Sequence, residues 1–132
     1  MIAPRRFAIN PKKKGRYGKD KRFKNAFGSW DSADEYRRFL YLQDLEKKGT
    51  IQELEKKVVY RFDLNGVHIA KFSPDFRYKV EGRTVVEDFK GNIIPRDFKL
   101  RARMLLAFFG IEVVIVTNPS DITPITNARK GT

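Results

Sequence analysis

Two dipeptides in the middle of the chain constrain the fold more than any other feature of the sequence. Asn65-Gly66 has the composition of a two-residue hairpin turn, and Glu81-Gly82 is a second turn of the same length. Short stretches with alternating or β-forming residues flank the turns, at 58–64, 67–72, 76–80 and 84–89. The middle of the chain is therefore predicted to consist of four strands joined as hairpins.

Helical segments lie on both sides of these strands. Residues 32–48 contain no proline or glycine, and Gly49 follows them directly. A second helix is predicted at 95–109, with a proline in its first turn and Gly110 at its end. The segment 111–116 is almost wholly apolar, as in a strand covered on both faces, and a right-handed crossover lets it lie parallel to its neighbour. The order predicts a small α/β domain with a mixed sheet.

Positive charge is concentrated at the amino-terminal end. The chain has 132 residues, with 28 lysines and arginines against 16 acidic residues, and a formal net charge of +12. Residues 1–24 alone carry a net charge of +9. Because such arms commonly neutralise phosphates, we expect nucleic acid to be the partner. The basic residues of this arm are Arg5, Arg6, Lys12, Lys13, Lys14, Arg16, Lys19, Lys21, Arg22 and Lys24.

The arm also has a second interpretation, as a solubilising or disordered tail. Its prolines, its glycines and its weak apolar pattern separate it from a packed core, while its interleaved aromatic residues suit stacking on bases or docking onto a partner. The predicted organisation is a flexible basic arm at 1–28, a folded domain at 29–118 and an unstructured carboxyl-terminal tail at 119–132.

Composition excludes several classes of site. The chain has no cysteine and one histidine, His68, which excludes disulfide scaffolds and cysteine-built zinc sites and argues against a Ser/His triad. The first residues have no apolar core, so no signal peptide is expected. The longest apolar run, 104–111, is too short to span a membrane. We expect a soluble cytoplasmic protein with no membrane contact.

The second hairpin places two carboxylates opposite each other. With Glu81-Gly82 as a two-residue loop, Asp75 lies across from Asp88, and Lys90 shares the face of Asp88. Carboxylates at this spacing share a proton or bind a divalent cation such as Mg²⁺ or Mn²⁺. A three-residue loop would pair Asp75 with Phe89 instead. With either loop, the alternative interpretation is a surface lysine on a strand edge for Lys90 and a turn residue after Pro74 for Asp75.

Glu35 is the third acidic candidate. On a helical wheel it borders the buried face of the first predicted helix, where a carboxylate needs a partner. The sequence 32–35 is also a capping box, in which Glu35 would only bond back to the helix start. Both interpretations remain open at this point.

These residues resemble the motif of the PD-(D/E)XK nuclease superfamily. Residues 73–76 resemble its first half, with Pro74 and Asp75, and Asp88-Phe89-Lys90 resembles its second half. The adjacent acid Glu87 does not share a face with Lys90. The family's restriction-endonuclease-like core contains a helix, three antiparallel strands, a helix and a strand, which would cover residues 32–117 here.

The resemblance implies the roles of the residues. Glu35, Asp75 and Asp88 would hold Mg²⁺, which Mn²⁺ could replace, and Lys90 would orient or activate the attacking water. Within the superfamily, the chain is most similar to small phage endonucleases and to phage and archaeal-type Holliday junction resolvases. This implies a metal-dependent endodeoxyribonuclease that cuts four-way DNA junctions as a homodimer, in recombination and repair.

Two alternatives remain: a nuclease of this superfamily acting on DNA other than junctions, and a basic nucleic-acid-binding protein without catalysis. On the second helix, Arg96, Lys99 and Arg103 repeat at helical spacing and are expected either to follow a DNA backbone or to form a solvated face. For the dimer contact we expect the exposed part of 51–67 with the apolar side of the first helix.

Overall fold

The computed structural model describes two short segments of backbone, at 23–25 and 28–30, and the whole of residues 32–91 and 94–130. The chain divides into two units, Met1–Ala33 and Asp34–Thr132. In the first unit, the strands β1 (Phe23–Asn25) and β2 (Gly28–Trp30) pair antiparallel. The predicted DNA-binding residues Arg5 to Arg22 lie outside the described residues, and of Lys24 only the backbone is described.

The rest of the chain contains three helices and six strands within the described residues. They are α1 (Ala33–Lys47), β3 (Gln52–Lys56), β4 (Tyr60–Leu64), β5 (Val67–Phe72), β6 (Phe76–Val80), β7 (Arg83–Phe89), α2 (Arg96–Phe109), β8 (Val113–Val116) and α3 (Thr123–Arg129). Four strands form a sheet in the order β3-β6-β7-β8, in which β7 and β8 are parallel and the other pairs antiparallel. The prediction of an α/β protein with a mixed sheet is confirmed.

The first helix begins and ends close to the predicted positions. Asp34 and Glu35 lie in its first turn, where negative charge interacts favourably with the helix dipole. Gly49 adopts a left-handed conformation with φ 80°, and the amide of Thr50 donates to the carbonyl of Leu45 at 2.9 Å. A glycine in this conformation satisfies the last carbonyls of a helix and turns the chain away from its axis.

The β6–β7 hairpin has the predicted register. Glu81 and Gly82 have φ values of 50° and 81°, as a two-residue turn between twisted strands requires. Val80 therefore pairs with Arg83, and the ladder continues to the pair of Phe76 with Glu87. One step further along the same register brings Asp75 to the level of Asp88.

The β4–β5 hairpin is a separate two-stranded sheet that packs against α2. Its turn at Asn65-Gly66 has φ values of 52° and 76°, as predicted. Aromatic side chains fill the space beneath it, and the rings of Phe72 and Phe98 meet edge to face at 5.8 Å. Residues 58–72 therefore contribute to the hydrophobic core but form no part of the four-stranded sheet.

The second helix ends as its sequence predicts. Gly110 is left-handed, with φ 68°, and its amide donates to the carbonyl of Leu106 at 2.9 Å. The chain then enters β8, which runs parallel to β7 and begins two residues later than predicted. In the described part of the chain, no helix has both the length and the apolar composition needed to cross a membrane.

Two elements differ from the sequence-based prediction. The strand β3 has the charged sequence QELEK, with only Leu54 partly buried, because it lies at the edge of the sheet. An edge strand of this kind lacks the apolar alternation that marks a strand in a sequence.

The prediction that residues 119–132 are unstructured is wrong. Thr123–Arg129 form α3, in which Pro124 occupies the start of the helix and Ile125 is buried. Asp121 accepts a hydrogen bond from the amide of Thr123 at 2.9 Å, which holds the first turn. The Thr, Pro and Asn residues that indicate a loop here also supply the start of a short helix.

Candidate active site

Three acidic side chains from separate elements are buried around the end of the β6–β7 hairpin. Glu35 lies in the first turn of α1, Asp75 immediately precedes β6, and Asp88 lies near the end of β7. Their exposed fractions are 1%, 4% and 4%. Because a buried carboxylate without compensation is costly, such a cluster requires partners of opposite charge or bound protons.

The two aspartates of the hairpin orient each other through backbone amides. The amide of Asp75 donates to Oδ1 of Asp88 at 3.2 Å, and the amide of Phe89 donates to Oδ2 of Asp75 at 2.7 Å. Each carboxyl group is thus fixed by an amide of the opposite strand. In each group, the other oxygen, Asp75 Oδ1 or Asp88 Oδ2, contacts the ammonium group of a lysine.

Lys90 approaches Asp88 as the sequence predicts. Its Nζ lies 3.0 Å from Oδ2 of Asp88 and 4.6 Å from the ring centre of Phe98 on α2. The backbone amide of Lys90 donates to the carbonyl of Val116 at 2.9 Å, which extends the pairing of β7 with β8. The ammonium group is therefore held by a carboxylate, an aromatic face and the sheet.

A second lysine, to which the sequence-based reasoning assigns no role, joins the cluster. Nζ of Lys57 lies 2.6 Å from Oδ1 of Asp75 and 3.1 Å from Oε1 of Glu35. The carboxylate of Glu35 therefore points into the cluster. The side chains of Lys57 and Lys90 are 36% and 20% exposed, whereas those of the three acids are 2–5% exposed. The lysines thus form the solvent-facing side of the site.

Lys57 could not be identified from the sequence because its position depends on β3. It follows that edge strand directly, its amide donates to the carbonyl of Asp75 at 3.0 Å, and its φ is 56°. The sequence gives one indication of a basic residue near the site, which is the pair Lys56-Lys57 just before the predicted strand at 58–64. That pattern is common on protein surfaces and specifies neither the left-handed turn nor the contact with Glu35.

The environment drives the pKa values of the paired aspartates in opposite directions. Burial, the hydrogen bond with Asp75 and the negative charge of Asp75 raise the pKa of Asp88 to about 8. Burial alone would also raise the pKa of Asp75, but its hydrogen bond with Asp88 and the positive charge of Lys57 outweigh burial and lower it. Such a divergence is what two facing carboxylates show when the pair shares one proton, which is one of the two states expected for them.

Glu87, the other acid of the second half-motif, has a structural role. Its carboxylate accepts two hydrogen bonds from Arg38, at 2.6 and 2.8 Å, and one from the hydroxyl of Tyr78 at 2.7 Å. Arg38 also donates to the carbonyl of Asp121 at 2.6 Å. The choice of Asp88 over Glu87 for the predicted site agrees with these contacts, since Glu87 points into the core instead.

The donors around the cluster suit a hard divalent cation, but they are not preassembled for one. Within the residues that the structure describes, no group of three or more His, Cys, Asp or Glu side chains is arranged to hold a metal ion. The ammonium groups of Lys57 and Lys90 contact the carboxylate oxygens that a metal ion would bind. Carboxylate oxygens are nevertheless the ligands that Mg²⁺ and Mn²⁺ prefer.

The basic residues predicted on the second helix are exposed. Arg96, Lys99 and Arg103 lie three and four residues apart on α2 and face solvent. Phe98, in the same turn, contacts Lys90, so this end of α2 lies beside the cluster. Whether the three basic residues contact DNA stays a prediction.

None of the protein families, curated proteins and solved structures with which we compared the chain matches it.

Proposed function

We propose that this protein is a metal-dependent endodeoxyribonuclease with a restriction-endonuclease-like core and a PD-(D/E)XK-type site. The observation that carries the proposal is the convergence of Glu35, Asp75 and Asp88 in a buried cluster, with Lys90 held at Asp88. Burial of carboxylates lowers the stability of a small domain. A cluster of them at one place is therefore an indication of a functional site. Their assembly from a helix, the start of one strand and the end of the next agrees with the motif that these residues resemble.

The order of elements supports the restriction-endonuclease-like core. Helix α1 is followed by the three antiparallel strands β3, β6 and β7, then by α2 and the parallel strand β8. The β4–β5 hairpin is inserted between the first and second of these strands. The same order places Asp75 and Asp88 at one end of the two central strands of the sheet.

We assign Mg²⁺ to Glu35, Asp75 and Asp88, with Mn²⁺ as a substitute. When bound, such an ion neutralises charge on a phosphate and lowers the pKa of water. The residues of the chain do the remaining work: the amides of Asp75 and Phe89 keep the two aspartates from rotating away. Lys90 holds a positive charge where it can stabilise negative charge developing on a scissile phosphate.

DNA is the proposed partner, and a four-way junction is the proposed substrate. The arm at 1–24 carries most of the net charge of +12, and the exposed Arg96, Lys99 and Arg103 extend from the end of α2 that touches Lys90. Phosphate contacts of this kind position a nucleic acid without reading its sequence. They fit recognition of a branched shape better than recognition of a base sequence.

A resolvase must cut two strands symmetrically, so we propose a two-fold homodimer. Of the expected contact surface, Val59, Leu64 and Val67 are exposed apolar residues, and Leu40 is exposed on α1. Light scattering at micromolar concentration should give about twice the chain mass of 15.4 kDa. A mass of one chain would contradict the resolvase assignment but leave the nuclease assignment in place.

A gel assay tests the proposed substrate. Four-way junctions and linear duplexes of the same sequence are incubated with the protein in Mg²⁺, and parallel samples contain EDTA. We expect Mg²⁺-dependent cuts, faster on the junction. Equal cutting of both substrates would favour a nuclease of the same superfamily acting on other DNA. Binding without cutting under any metal condition would favour the non-catalytic nucleic-acid-binding protein.

A further inference from the structure

The ammonium group of Lys57 occupies the space between two of the carboxylates that we assign to Mg²⁺. It lies 2.6 Å from Oδ1 of Asp75 and 3.1 Å from Oε1 of Glu35. These two residues come from different elements, so the lysine bridges α1 and the start of β6. It is a cation of the chain itself, bound to carboxylate oxygens on the solvent-facing side of the acidic cluster.

The backbone of Lys57 is held in a conformation that L-residues rarely adopt. Its φ of 56° lies in the left-handed region, and its amide donates to the carbonyl of Asp75 at 3.0 Å. Strained positions of this kind persist where the surroundings fix them, and they occur often at functional sites. The strain and the hydrogen bond keep the base of the lysine side chain next to the cluster.

We propose that Lys57 competes with the divalent cation for Glu35 and Asp75. In the metal-free protein its ammonium group pairs with both carboxylates and offsets part of their negative charge, and it turns outward when the metal ion binds. This inference rests on the proposed metal site and adds a means of controlling how tightly that site binds. Lys57 is thus a positioning residue that keeps the acidic side chains together until a metal ion takes its place.

The length of the Lys57 side chain and its exposure support an outward movement. The side chain of Lys57 is 36% exposed, whereas those of Glu35 and Asp75 are 2% and 5% exposed. A lysine carries its ammonium group on a flexible stem of four carbons, so the group can reach solvent without a change in the backbone. The carboxylates are buried and, in Asp75, fixed by the amide of Phe89 at 2.7 Å.

Electrostatics excludes a shared position. An ammonium group and a divalent cation on the same oxygen atoms would lie within about 4 Å of each other and repel strongly at a partly buried site. Lys90 contacts a different oxygen, Oδ2 of Asp88, and its ring contact with Phe98 holds it in place. Lys57 contacts two of the three acids assigned to the metal, whereas Lys90 contacts one, so Lys57 is the lysine that we expect to turn outward.

Calorimetric titration of Mn²⁺ into the metal-free protein, without DNA, tests the competition. The test variant is Lys57→Met, which removes the ammonium group and keeps an unbranched side chain of similar length. The matched control is Lys56→Met. Lys56 is the neighbouring lysine and is exposed, so its removal changes the net charge equally. We expect Lys57→Met to bind Mn²⁺ at least about tenfold more tightly than wild type, and Lys56→Met to bind within about twofold of wild type.

Loss of the lysine leaves two buried carboxylates without its charge, so circular dichroism accompanies each titration. If Lys57→Met is unfolded before metal is added, Lys57→Gln replaces it, because the glutamine amide still donates to a carboxylate. Equal or weaker Mn²⁺ binding by the folded Lys57 variant would overturn the competition and leave the metal site standing. Failure of every variant to bind Mn²⁺ would overturn the metal site as well. Tighter binding by the variant, with no DNA cleavage by wild type, would retain the competition and reject the nuclease.

Discussion

At the scale of single residues, the raised pKa of Asp88 links the site to stability. An aspartate in an unfolded chain has a pKa of about 3.9, whereas burial and Asp75 raise the pKa of Asp88 to about 8 in the folded protein. Between these values the folded state holds a proton that the unfolded state has released. Since stability falls with pH wherever the folded state binds more protons, this group destabilises the metal-free protein progressively as pH rises through that interval.

Asp88→Asn should remove this pH dependence. Asparagine resembles the protonated carboxyl group, so the variant should match wild type below about pH 4, where the aspartate is protonated in both states, and be the more stable of the two near pH 9. Denaturant melts in EDTA at several pH values measure the difference between the two proteins, which cancels the groups that both contain. Parallel stability curves for the variant and wild type across this range would show that Asp88 is ionised in the folded state.

Glu35→Gln separates the two interpretations of that residue. Glutamine keeps an oxygen that can accept a hydrogen bond but loses the charge that faces Lys57. We expect DNA cleavage to fall by orders of magnitude and the free energy of unfolding to fall by no more than the effect of a helix cap, about 0.5–2 kcal/mol. Single-turnover cleavage and urea melts measure the two effects separately.

Asp34→Asn is the matched control for Glu35→Gln. Asp34 lies in the same first turn of α1, but it is exposed and pairs with Arg37. Its loss therefore reports the effect of one negative charge at the helix start without touching the cluster. A Glu35→Gln variant that cleaves normally and melts like Asp34→Asn would support the capping interpretation.

The contact between Asp75 and Asp88 could be predicted from the sequence, whereas the role of Lys57 could not. The first follows from a two-residue turn and the period of a strand, which are local rules. The second depends on a left-handed residue after an edge strand and on a partner in α1, 22 positions earlier in the chain. No periodicity within the sequence specifies that contact.

At the scale of elements, one buried ion pair joins α1 to the central strand β7. Arg38 and Glu87 are fully buried, and Arg38 also donates to the carbonyl of Pro119 at 3.2 Å. Burial and the charge of Glu87 raise the pKa of Tyr78, whose hydroxyl completes the network. These contacts position the helix that carries Glu35, although neither Arg38 nor Glu87 belongs to the cluster.

Arg38→Met should destabilise the protein by about 3–5 kcal/mol, because it leaves the carboxylate of Glu87 buried without its counter-charge. Arg37→Met is the control, since that arginine is exposed on the same turn and should matter little. Adding Glu87→Leu to Arg38→Met should recover part of the loss. Chemical denaturation of the four proteins measures these differences, and an Arg38→Met variant as stable as Arg37→Met would contradict the account.

Elements with strong local features could be predicted, and those defined by tertiary contacts could not. The helices α1 and α2 and the hairpins have glycines and turn residues at their ends. The strand β3 is charged and stands at the edge of the sheet, so only its pairing with β6 defines it. The helix α3 is short, and burial of Ile125 distinguishes it from the tail that its composition indicates.

At the scale of the whole molecule, the charge of the arm should affect binding more than chemistry. Deleting residues 1–22 removes nine of the arm's basic residues and keeps both strands of the first unit. We expect weaker DNA binding and a shallower dependence of log K on log salt, because fewer counterions are released. Fluorescence anisotropy at several salt concentrations measures both quantities.

The same deletion should leave cleavage at saturating enzyme within about tenfold of wild type, since phosphate contacts position DNA rather than perform chemistry. None of Glu35, Asp75, Asp88 and Lys90 lies in the arm. An unchanged salt dependence after deletion would show that the arm does not contact phosphates. A loss of cleavage on fully bound DNA would instead place part of the chemistry in the arm.

The most direct test of the proposed site is the rate at which Asp88→Asn cleaves bound DNA in Mg²⁺. The measurement is single-turnover, at enzyme concentrations that saturate the substrate, with anisotropy and melting curves to establish that binding and folding are intact. The buried position of Asp88 between Asp75 and Lys90 predicts a rate at least about a hundredfold below wild type. Cleavage by Asp88→Asn at nearly the wild-type rate would contradict the proposed site.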